Sequence, residues 1–182
     1  MSNKLNDTLF YVHKEKKQSL EALRQKKKQE LALLMRKEII PALIDEIEQI
    51  LLQKAKEVPP TADMKMLSSR SIYVIPSSIS RETVSKIQGL CDVIGTPLVN
   101  DDWTYQINHT SITMTHKTDS RISREVAHKS ISDTSLEFFE PMVKHYLDEG
   151  FEELSIRFYS SDIANATLME MDFYIKNPEE EK

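Results

Sequence analysis

From Asn6 to Glu57 the chain contains no glycine and a single proline, Pro41, and almost every residue is a good helix former. A stretch of that length and composition predicts helix. Asn6 or Asp7 is placed to cap its start by accepting a bond from a free amide of the first turn. Proline lacks an amide hydrogen and crowds the preceding turn, so Pro41 either kinks one long helix or opens a second. The expected break lies between Glu38 and Pro41, with helix continuing to about Lys56.

The two halves of this arm differ. Upstream, Phe10, Leu20, Leu23, Leu31, Leu34 and Met35 are sparse and are interrupted by the cationic run Arg24 to Lys28. Downstream, Ile40, Ile44, Ile47 and Leu51 follow a four-three-four spacing that Leu43 and Ile50 widen. A seam of that kind must be buried, on the chain's own α+β domain, on the preceding helix as a hairpin or, the reading favoured, on another copy. Each side chain in it gains about 1.5–3 kcal/mol on full burial.

Pro59 and Pro60 cannot continue a helix and mark a boundary. The expected organisation is a helical arm over 1–57 (coiled coil or helical hairpin), a proline-containing linker over 58–70, an α+β domain over 71–176 and an acidic tail over 177–182. Within the domain, Ser71–Ile75 is apolar on both faces and suits a central strand. Ser80 caps a helix that Gly95 and Pro97 end, with Val84, Ile87, Cys91 and Ile94 on one face. Tyr105 and Ile107, then Ile112 and Met114, alternate about a phase flip near Asn108–Ser111, as a tight hairpin requires. Lys117–Ile131 is polar and reads as a loop or a weak helix. Thr134 and Glu137 form a capping box before a helix lined by Leu136, Phe139, Val143, Tyr146 and Leu147. A last hairpin alternates Leu154, Ile156 and Phe158 with Met169, Met171, Phe173 and Ile175. The order β-α-β-β-α-β-β predicts an α+β fold with helices on one face of a mostly antiparallel sheet.

Composition removes several classes of function. There are 3 glycines in 182 residues, and none has another within four positions, which disfavours the glycine-rich loops that cradle phosphates. The single cysteine, Cys91, can form no internal disulfide and supplies no thiolate cluster. No apolar run approaches a membrane span and the N-terminus lacks the apolar core of a secretory signal, so a cytoplasmic protein without membrane attachment is expected. The net charge of -5 conceals a gradient. Met1–Glu38 carries 10 basic against 5 acidic residues, and Ile131–Lys182 carries 4 basic against 13 acidic. Such asymmetry suits an acidic partner for the arm or head-to-tail complementarity between copies.

Candidate chemistry is thin. His109, His116 and His128 cluster in sequence near Asp101, Asp102 and Asp119, but their spacing matches no short metal-ligand motif. Pairing one of them with a serine such as Ser69 or Ser77 would give a Ser/His hydrolase, yet no serine sits in a glycine-flanked elbow. Lys14, Lys16, Lys17, Arg24, Lys26, Lys27 and Lys28 could track a phosphate backbone without reading sequence.

The reading these features favour is a non-enzymatic protein-protein interaction module with a regulatory, inhibitory or assembly role. It needs no cofactor and forms homo-oligomers through Ile40, Leu43, Ile44, Ile47, Ile50 and Leu51 of the arm. A nucleic-acid-associated protein using the basic arm is the alternative. A small metal-dependent or Ser/His hydrolase is the third reading.

Overall fold

Helix α1, Lys4–Leu34, passes through a π-helical turn, Met35–Ile39, into α2, Ile40–Glu57, without leaving helical backbone. The computed structural model describes residues 4–99, 101, 103–116, 119–127, 136–161 and 166–180. The arm is therefore one helical path, already formed at Lys4 and so ahead of Asn6 and Asp7. Pro41 explains the wide turn. It gives no hydrogen bond to the Lys37 carbonyl and its ring would crowd that group. The chain widens just upstream, where the Ile40 amide donates to the Met35 carbonyl five residues back. The widening also keeps the buried stripe aligned. Leu31, Met35, Ile39, Leu43 and Ile47 recur in steps of four, and all are 0% exposed. In a regular α-helix each such step overshoots one turn by about 40°.

After Glu57 come β1, Met66–Ser68, and β2, Ile72–Tyr73, then α3, Arg81–Ile94. Strands β3, Trp103–Asn108, β4, Ser111–His116, and β5, Asp119–Ala127, follow. A 3-10 turn, Glu137–Phe139, leads into α4, Glu140–Asp148, and the chain closes with β6, Glu153–Ser161, and β7, Ala166–Tyr174. The sheet order is β1-β7-β6-β3-β4-β5, with β2 also on β7, and each recorded pairing is antiparallel.

The register places the core on one face. Ile107 faces both Ile112 and Leu154, Tyr105 faces Ile156, Ile156 faces Met171, and Phe158 faces Met169. All eight are 0% exposed, and they share one core with Ile87, Leu90 and Ile94 of α3 and with Met142, Val143, Tyr146 and Leu147 of α4. The opposite face carries Gln106, Ser155 and Asp172, with Arg157 Nη2 2.9 Å from Glu170 Oε2 across β6 and β7. One apolar and one polar face is the expected state of an antiparallel sheet covered by helices on one side. The α+β class is as read from the sequence.

Several details differ. The Ser71–Ile75 strand lies at the sheet edge rather than its centre, pairing with β7 through Ile72 and Tyr73, and the Val74 amide also donates to the Thr167 carbonyl at 3.2 Å. Met66–Ser68, within the expected linker, pairs with the same strand. Ser68 faces Asp172 and Ile72 faces Met169, so four residues on the edge span three on β7. One extra residue makes a bulge, and Arg70 takes it up with φ 55. Ser69 repairs the ladder there: its amide donates to the Met171 carbonyl at 2.7 Å and its hydroxyl accepts from the Met171 amide at 2.9 Å. Part of Lys117–Ile131, expected as loop or weak helix, is strand β5, paired with β4. Thr134 of the expected capping box lies outside the described residues.

Candidate interaction surface

The seam after Pro41 is buried within its own chain. Ile40, Leu43 and Ile47 are 3%, 0% and 0% exposed and belong to the core that the sheet and α3 share. Ile44, Ile50 and Leu51 are half-buried against that core. Three of the six residues expected to form an oligomer interface are thus covered within the chain, and the other three keep partial exposure.

The segment from Arg24 to Glu38 docks along α3 with matched charge. Ser80 Oγ accepts from the Thr83 amide at the start of α3, and Thr83 Oγ1 donates to Glu38 Oε2 at 2.8 Å. At the other end Gly95 adopts φ 84 and its amide donates to the Cys91 carbonyl, closing the helix. A Cβ built on Gly95 would lie 3.6 Å from Arg24 Nη2. α3 is thus antiparallel to α1, with a carboxylate at its positive end and a guanidinium at its negative end. Lys28 Nζ lies 3.4 Å from Glu137 Oε1, Lys27 Nζ lies 3.1 Å from Glu30 Oε2, and His145 Nε2 lies 3.3 Å from Glu48 Oε1.

These contacts divide the basic candidates. Arg24, Lys27 and Lys28 are engaged within the chain, whereas Lys14, Lys16, Lys17 and Lys26 are exposed. At about 100° per residue, Lys14 and Lys17 fall on one side of α1 while Lys16 and Lys26 fall on others. The four make no single cationic stripe.

Toward its N-terminus α1 leaves the core. Every residue from Lys4 to Leu23 is exposed, and at 1.5 Å per residue this free helix is about 30 Å long. Along it Leu5, Leu9, Val12, Leu20 and Leu23 occupy one face, with Lys16 in the gap. They are 72%, 60%, 47%, 45% and 44% exposed. Sequence reasoning named Leu20 and Leu23 but passed over Leu5, Leu9 and Val12. The four-three spacing of those three was the available signal, and the stronger seam downstream drew attention from it.

The histidines do not converge. His109 is exposed in the two-residue β3–β4 turn, while His116 closes β4 and meets the Trp103 ring edge to face at 4.7 Å. About 17 Å of strand separates the two ends of β4. His128 lies outside the described residues. Among the described residues no group of three or more His, Cys, Asp or Glu side chains could hold a metal ion, and no helix is long and apolar enough to cross a membrane. Compared with protein-family models, curated proteins and solved structures, the chain matches none.

Proposed function

We propose that this chain is a non-enzymatic interaction protein that assembles with a second copy of itself through the free half of α1. The observation that carries this reading is the exposed stripe Leu5, Leu9, Val12, Leu20 and Leu23 on a helix the domain does not cover. An isolated helix gains little from its backbone alone, and a lasting apolar stripe on one implies a packing partner.

A second arm suits the stripe. Read from either end, it presents two leucines first and last, with Val12 and Lys16 between. Antiparallel pairing sets Leu5 beside Leu23 and Leu9 beside Leu20 of the other copy. It also sets Lys16 opposite Val12. Parallel pairing would bring Lys16 against Lys16 in the seam and align the two cationic runs, so repulsion favours the antiparallel arrangement. The α+β domains would then sit at opposite ends of a short helical bridge, which suits an assembly or spacing role.

Cross-linking tests the geometry. In a Cys91→Ser background, chains carrying Leu5→Cys are mixed with chains carrying Leu23→Cys and oxidised. The expected product joins position 5 to position 23. Disulfides joining 5 to 5, or no cross-link in any mixture, would reject antiparallel pairing.

A further inference from the structure

Beside α3 the molecule has a cavity of about 600 Å³, independent of the arm. The inner face of α3 is rotated from the one its apolar spacing suggests. Ile87, Leu90 and Ile94 enter the core, while Val84 is 36% exposed and Cys91 is half-buried. Val84, Ile87 and Cys91 make one wall, and Val74, Leu98 and Val99 help make the others. That volume is typical of small-molecule sites, which are largely apolar with a few polar groups to orient the ligand.

Among the described residues Asp101 is the one formally charged residue of the lining. Its Oδ2 accepts from Ser160 Oγ at 3.2 Å, and among the described residues it forms no ion pair. The described lining residues include no cation to hold a carboxylate or a phosphate. A carboxylate at the edge of an apolar cavity instead complements an ammonium group. We propose that this cavity binds small amphiphilic amines, taking the apolar body against α3 and the ammonium group at Asp101.

Cys91 supplies a reporter. Burial, and then the neighbouring Asp92 carboxylate, push its thiol pKa up, so alkylation should be slow enough to time. The full chain is titrated at pH 8 with n-octylammonium and, separately, with octanoate, by calorimetry and by the rate of Cys91 alkylation. The expected result is affinity for octylammonium at least about tenfold above that for octanoate, with slowed alkylation on binding. Asp101→Asn should abolish the preference. Val84→Trp, at a position open enough to accept the ring, should fill the cavity and remove binding. Equal affinity for octanoate, no binding of octylammonium, or unchanged affinity in Val84→Trp would each overturn the proposal.

Discussion

Tyr146 shows how a single polar atom can be out of balance with its surroundings. Its ring is 2% exposed and stacks edge to face on Phe173 at 4.9 Å. Its hydroxyl is buried and has no hydrogen-bond partner among the described residues. Burial, followed by the carboxylates of Glu48, Asp45 and Glu149, pushes its pKa well above the ordinary tyrosine value. Because the folded value is raised, the neutral hydroxyl's contribution is intact below the unfolded pKa of about 10 and is lost progressively above it. A buried hydroxyl without a partner costs about 1–3 kcal/mol. Tyr146→Phe is therefore expected to raise stability by about 1 kcal/mol at neutral pH, and to flatten the alkaline loss above about pH 10. Chemical denaturation at pH 7 and pH 10.5 measures both, and a destabilised Tyr146→Phe protein would show that the hydroxyl is well satisfied.

At the scale of elements, Glu38 of the π-helical turn accepts from Thr83 in the first turn of α3, and Arg24 of α1 lies against Gly95 at its other end. Arg24→Glu puts a carboxylate at the negative end of the helix and is expected to cost about 1–2 kcal/mol, whereas Lys14→Glu, exposed on the side of the free half away from the leucine stripe, should leave folding stability unchanged. Denaturation midpoints compare the two, and equal effects would mean that Arg24 does not anchor the arm. How much of this was legible in the sequence depended on how local each signal was. Leu154, Ile156 and Phe158 alternate because one face of β6 is buried, and Ser80 and Gly95 act within a turn of α3, so these elements could be read directly. The bulge at Arg70 and the pairing of Met66–Ser68 depend on β7, about a hundred residues away, and a strand of three residues is too short to show a period. Strand β5 pairs with β4 at the sheet edge, where stability comes from the partner's backbone rather than from an apolar alternation of its own. The seam after Pro41 is the instructive case. Its spacing states that a face must be covered, and only the tertiary fold states by what.

For the whole molecule, the core accounts for the arm from Leu31 to Ile47 and leaves Lys4–Leu23 in solvent. The arm is thus both a structural layer and a projecting helix, and this division confines the proposed assembly to its first half. Leu9 and Leu20 are exposed and outside the core, so charges placed there test association with little effect on folding. The direct measurement is the solution mass of the intact chain across a range of concentrations, alongside Leu9→Glu/Leu20→Glu. The expected result is the mass of two chains for the intact protein, falling toward one on dilution, and of one chain for the variant with its helical content largely kept. A single-chain mass for the intact protein at every concentration, or a two-chain mass that survives both substitutions, would contradict assembly through the arm.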